Sequence, residues 1–161
     1  MRFEHLIQIN DAGNPVVTPM TRAELWRGLV ARARTPQAFP LGPDRCELAD
    51  GHGEGEGDAQ PLRRQVHFGA LVIEDHVRLD AERGLHFEPL PQEGMPSVRL
   101  SITIEEPGPG ALFLRFVYTS DETVAGGGLD AQLQSLREQA WLANDQDMVR
   151  TLREWQREGR L

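Results

Sequence analysis

Lysine is absent from this chain: all seventeen of its basic residues are arginine. A Schiff-base lysine and a P-loop lysine are excluded at once. Cysteine is nearly absent as well. The single Cys46 can form no internal disulfide, and with no base motif beside it reads as a packed thiol rather than a nucleophile. The chain opens on Met1-Arg2-Phe3-Glu4-His5 without the long apolar stretch of a signal peptide or membrane span, so a reducing cytoplasmic setting and no membrane insertion are expected. Clustered positive charge is missing too. With a formal net charge of −8, neither nucleic acid nor an anionic membrane surface is an expected partner.

What is present suits one domain. A length of 161 residues at 39% hydrophobic content is enough for one core with room for one cavity, so residues 1–161 are read as a single domain. The last third carries a helical period. Leu129, Leu133, Leu136 and Ala140 fall on one side of a helix, and Trp141, Met148, Leu152 and Trp155 extend an apolar stripe that drifts, which predicts one long helix from Leu129 to Glu158 bending near Asn144 and Asp145. Three glycines at 126–128 precede it, Asp130 suits its positive end, and Arg150, Arg153 and Arg157 suit its negative end.

Upstream the period is mostly two. Phe3, His5, Ile7 and Ile9 alternate with polar residues as in a half-buried strand. Thr21-Arg22-Ala23-Glu24 is a capping box that opens a helix whose apolar side runs through Leu25, Leu29 and Ala33 until Pro36, and a short second helical turn follows through Phe39. A strand over Arg45–Ala49 leads into an alternation of glycine and acid at residues 50–58. A calcium loop is one reading of that run, but position twelve counted from Asp50 is Pro61, so a solvated hairpin loop is expected instead.

Leu62, Arg64, Val66 and Phe68 share one strand parity, and Leu71, Ile73, Asp75, Val77 and Leu79 share another, with Gly69-Ala70 between them as a two-residue II′ turn. That register sets Arg64 opposite Asp75 on an apolar face, either as a self-neutralising salt bridge or as a pair that orients a ligand. Leu85 to Pro89 forms a further strand. Val98, Leu100, Ile102 and Ile104, then Leu112, Leu114, Phe116 and Tyr118, complete the count, and Arg99, Glu105 and Arg115 fall on the opposite, solvated face.

The result is an α+β domain: a seven-stranded curved antiparallel sheet around a long C-terminal helix, with two short helices after the first strand. One helix cannot fill the hollow of such a sheet, so a cavity should remain. This order of elements resembles the helix-grip fold of the START-like (SRPBCC) superfamily. Phe3-Glu4-His5-Leu6-Ile7-Gln8-Ile9-Asn10, residues 21–29, Ile104-Glu105-Glu106-Pro107 and Leu112-Phe113-Leu114-Arg115-Phe116 resemble the AtaL-like family within it, first described as a domain of unknown function. The resemblance spans essentially the whole chain. It implies a START-like ligand-binding domain with a hydrophobic cavity and kinship to polyketide cyclases and to lipid or hormone carriers.

Two functions follow as expectations. One is a binding protein for a small apolar or aromatic metabolite, with Val66, Phe68, Ile73, Phe87, Leu100, Ile102, Leu114 and Phe116 lining the sheet side. Leu136, Ala140, Trp141, Asn144 and Met148 would line the helix side. The other is a cofactor-free cyclase, dehydratase or isomerase in the same cavity, with His5 as acid or base, Arg64 binding a carboxylate or enolate, Asp75 orienting it and Tyr118 donating a hydrogen bond. No cofactor and no metal are expected: no zinc spacing or nucleophile elbow occurs, and no strand follows the Gly126-x-Gly128 helix to build a dinucleotide unit. A homodimer is compatible with all of this.

Overall fold

Residues 1–49, 61–122 and 128–161 are described in a computed structural model. The glycine and acid run at 50–58 lies outside them, as do Gly126 and Gly127. In chain order the elements are β1 (Arg2–Gln8), α1 (Arg22–Arg34), a 3-10 turn (Pro36–Ala38), β2 (Arg45–Leu48), β3 (Leu62–Phe68), β4 (Leu71–Asp80), β5 (Gly84–Pro89), β6 (Arg99–Glu105), β7 (Phe113–Thr119) and α2 (Leu129–Arg157). The strands form one antiparallel sheet in the order β1-β7-β6-β5-β4-β3-β2. β2 to β7 is thus a plain meander, and β1 closes its far edge.

Register gathers the apolar parity on one face. Phe3, His5 and Ile7 pair with Tyr118, Phe116 and Leu114, which pair in turn with Leu100, Ile102 and Ile104. At the other edge Arg64 pairs with Asp75 and Val66 with Ile73, as the two-residue turn requires, and Gly69 at that turn has a left-handed φ of 58°. The opposite face carries the solvated charges, among them the Arg115–Glu105 pair at 2.8 Å.

α1 begins where Thr21 accepts a hydrogen bond from the Glu24 backbone N–H at 3.1 Å. The reciprocal half of the capping box is replaced: Glu24 Oε2 accepts from Gln156 Nε2 at 3.0 Å, tying the start of α1 to the end of α2. Leu25, Leu29 and Ala33 are fully buried, and a Cβ on Gly28 would lie 2.6 Å from Leu152 Cδ2. The two helices therefore meet closely at that residue, where Met148, Leu152 and Trp155 join Phe39 in the core. Nearby, the buried Asn10 side chain bonds Met20 N, Met20 O and Gly110 O at 2.8 to 2.9 Å, anchoring the β1–α1 connection.

α2 departs from expectation in its first half. Leu129, Leu133 and Leu136 are 69%, 55% and 61% exposed, and Ala140 is exposed too, so this stripe does not pack on the sheet. Length gives the reason. Twenty-nine helical residues span about 43 Å, whereas a seven-residue strand spans only about 23 Å. The sheet cannot underlie the whole helix. Around Asn144 and Asp145 α2 runs on as one continuous helix. Trp141, Asp145, Met148, Leu152 and Trp155 form one continuous inner face, and the drift in the apolar stripe marks a buried carboxylate.

Candidate functional site

Three side chains converge where α2 crosses β1 and β7. His5 and Tyr118 lie on adjacent strands and on the same face, and α2 lowers Asp145 onto them. Tyr118 donates its phenolic hydrogen to Asp145, whose carboxylate oxygens lie 2.8 and 3.0 Å away. His5 Nε2 stands 3.0 Å from Asp145 Oδ2. That contact is close but poorly aligned for a hydrogen bond, and neither imidazole nitrogen has a well-directed partner among the described residues. Aromatic rings enclose the group: Phe116 stacks on His5 with centroids 5.0 Å apart, and Trp141 lies on Tyr118 at 4.3 Å, nearly parallel.

The enclosure sets the electrostatics. Asp145 is only 2% exposed, and burial pushes its carboxyl above the usual carboxylate range, outweighing the lowering by the adjacent His5 imidazole and by the hydrogen bond from Tyr118. Burial also drives the Tyr118 phenol upward, helped by the Asp145 charge and the bond between them. The phenol therefore keeps its proton at any physiological pH. Because that proton is engaged by Asp145, donation to a ligand would require breaking the existing bond.

Across the same face sits a second cluster. Arg64 donates from Nε and Nη2 to the two oxygens of Asp75 at 2.8 and 2.6 Å, and from Nη1 to the carbonyl of Ala33 at 2.7 Å. Phe87 lies under the guanidinium, 5.2 Å from ring centre to Cζ. This is a buried bidentate pair with a third bond into the C-terminal turn of α1. No hydrogen bond or ion pair joins it to His5 among the described residues.

The expected lining residues divide into four groups. Ile73, Asp75, Phe87 and Trp141 border a cleft of about 340 Å³ between β4, β5, the β5–β6 connection and α2, together with Met95, Val98 and Arg137. Ile102, Leu114, Phe116 and Met148, at 0 to 2% exposure, belong to solid core, and Val66 is buried too. Leu100 and Asn144 are half-buried. Phe68, at the β3–β4 turn, and Leu136 and Ala140, on the outer part of α2, face solvent.

Two residues of this region escaped the sequence reading. Asp145 broke the apolar stripe of α2, and that break was its signal. Arg32 falls seven residues after Leu25 and three after Leu29, on the buried side of α1. Burial lowers its pKa, helped by the nearby charge of Arg64, against the pull of Asp145, Tyr118 and Asp75. Arg32 thus lies within electrostatic reach of both clusters. Cys46, on the same face, has its thiol pushed up by burial and is no activated nucleophile. Among the described residues no group of three or more His, Cys, Asp or Glu side chains could hold a metal ion, and no helix is long and apolar enough to cross a membrane.

Comparison with known proteins places the fold. The model of the family described as AtaL, acetylaranotin biosynthesis cluster protein L, matches residues 7–159. No curated protein sequence matches. Among solved structures, the di-domain ARO/CYC StfQ from the steffimycin biosynthetic pathway is similar at TM-score 0.68 and 10% identity, covering 98% of this chain and 51% of its own. The di-domain ARO/CYC BexL from the BE-7585A pathway is similar at 0.66 and 11%, covering 96% and 49%. This chain thus spans about half the length of either. The Aha1 dimer from Colwellia psychrerythraea is similar at 0.57 and 12%, over 95% of this chain and 96% of that one. At these identities the likeness is one of fold.

Proposed function

The chain belongs to the AtaL family, and on that premise we propose that it binds a small apolar or aromatic molecule between the sheet and α2. The observation that carries this reading is the cleft beside Trp141. Its volume of about 340 Å³ falls in the range of small-ligand sites, and Ile73, Phe87, Val98 and Trp141 give it apolar walls with Asp75 at the edge. Residues 1–161 act as one START-like ligand-binding domain in the cytoplasm, with no cofactor, as a monomer or a homodimer. Native mass spectrometry of the purified protein tests it. A bound small molecule that is lost in Trp141→Ala supports the reading, and an empty protein that also takes up no added aromatic compound contradicts it.

A second reading makes the same cavity catalytic, as in a cofactor-free cyclase, dehydratase or isomerase. It is favoured by the His5, Asp145 and Tyr118 group, which couples an imidazole to a carboxyl whose proton affinity is raised. In it His5 removes a proton from the ligand and Asp145 steadies the imidazolium. Incubation of wild type and His5→Ala with the co-purified compound separates the readings. Chemical change by wild type alone, with affinity equal in both, supports catalysis; recovery of unchanged compound from both leaves a binding protein.

A further inference from the structure

Asp75 and Arg137 are the charged side chains in the wall of the cleft beside Trp141, and they differ in how they are matched. Both oxygens of Asp75 are taken by Arg64, at 2.8 and 2.6 Å, so that pair brings no net charge to the space. Arg137 has no such counterpart. On its own helix the positions three and four residues away are Leu133, Gln134, Ala140 and Trp141, none of them acidic, and the adjoining Glu138 accepts a hydrogen bond from Gln134 instead. Among the described residues no carboxylate or carbonyl of another element accepts from Arg137 either. What it meets is aromatic: its Cζ lies 5.9 Å from the centre of the Trp141 ring, one helical turn further on. The half-buried guanidinium thus lies against the indole that walls the cleft, with its N–H donors unengaged by protein, at the point where α2 passes beyond the sheet.

We propose that the cleft takes a monocarboxylate on an aromatic or otherwise apolar body, with the carboxylate on Arg137 and the body against Trp141, Ile73, Phe87 and Val98. A guanidinium presents parallel N–H groups that match the two oxygens of a carboxylate, which suits it to this task better than a point charge. The count of charges sets the ligand at one negative charge. Asp75 is already neutralised, and the three donor nitrogens of Arg64 are spent on Asp75 and the Ala33 carbonyl, so Arg137 alone is left to meet an anion. A dianion such as a phosphate monoester would bring a second charge that no side chain of the cleft can answer. The proposal rests on the binding reading above and adds the class of the ligand and its orientation.

The test titrates 2-naphthoate and its neutral counterpart 2-naphthamide by calorimetry into wild type, Arg137→Gln, Arg137→Lys and Arg27→Gln. Arg27 is an exposed cation on the outer side of α1, so its variant makes the same change in net charge away from the cleft. Arg137→Gln is expected to weaken 2-naphthoate by about five- to tenfold, as loss of a partly exposed charge-assisted pair does, and to change 2-naphthamide less than about twofold. Arg137→Lys, which keeps the charge without the fork, should fall between, and Arg27→Gln should move neither compound by more than about twofold. Raising salt should weaken the acid against the amide in wild type and leave their ratio unchanged in Arg137→Gln. Equal losses for acid and amide in Arg137→Gln, no loss for the acid, or an equal loss in Arg27→Gln would overturn the assignment while leaving the apolar site intact. Failure of wild type to bind either compound would overturn the binding reading and this one with it.

Discussion

Asp75 and Asp145 are both buried on the concave side of one sheet, and they are stabilised in opposite ways. Asp75 meets a guanidinium through two parallel hydrogen bonds, and that guanidinium also holds the end of α1. Asp145 meets a phenol and an imidazole, and burial outweighs both partners in setting its proton affinity. The difference separates architecture from chemistry. A charge matched by a fixed opposite charge fastens β3, β4 and α1 together, while a buried carboxyl beside a phenol and an imidazole has no fixed opposite charge to hold it ionised.

The largest expected effect breaks the first of these sites. Arg64→Ala leaves Asp75 buried without its partner and should cost about 3–5 kcal/mol in urea unfolding, whereas Arg64→Met combined with Asp75→Leu should recover most of that loss. A single-variant cost below about 1 kcal/mol would mean that the pair is not structural. Tyr118→Phe is expected to cost less, about 1–3 kcal/mol, because it removes one donor from a buried carboxyl and leaves the stack on Trp141 intact.

Titration sharpens the comparison further. Asp145 has a folded-state pKa above its unfolded value, so its contribution to stability is complete below the unfolded pKa and declines as pH rises through the folded one. Thermal melts of wild type and Asp145→Asn across pH 4 to 8 should show the variant gaining on wild type as pH increases. Parallel curves would mean that Asp145 titrates normally. The smallest effect is expected on the outer part of α2, where Leu133→Gln should change stability by no more than about 0.5 kcal/mol because the side chain is already 55% exposed.

The strand alternation, the Gly69-Ala70 turn and the Thr21 cap make the sheet, its register and the start of α1 legible in the chain itself. Arg64 and Asp75 could be paired from parity and turn length alone, since a two-residue turn leaves one register. The Asp145 group could not be found that way. His5, Tyr118 and Asp145 come from three elements far apart in the chain, and only the crossing of α2 over β1 and β7 brings them together. Periodicity likewise assigned Leu133 and Leu136 an apolar face without saying whether anything lies beneath it. Arg32 was visible in principle as a charge on the buried side of α1, but one charge on an apolar stripe is easily set aside when neighbours satisfy the pattern.

Whether this interior receives a ligand beside Trp141 is most directly tested by nuclear magnetic resonance, with assigned indole, methyl and aromatic signals followed during titration with 2-naphthol. Shifts centred on Trp141, Ile73, Phe87 and Val98, with Leu129, Leu133 and Leu136 unmoved, are the predicted result. Shifts confined to the exposed leucines of α2, or none at saturating ligand, would contradict it.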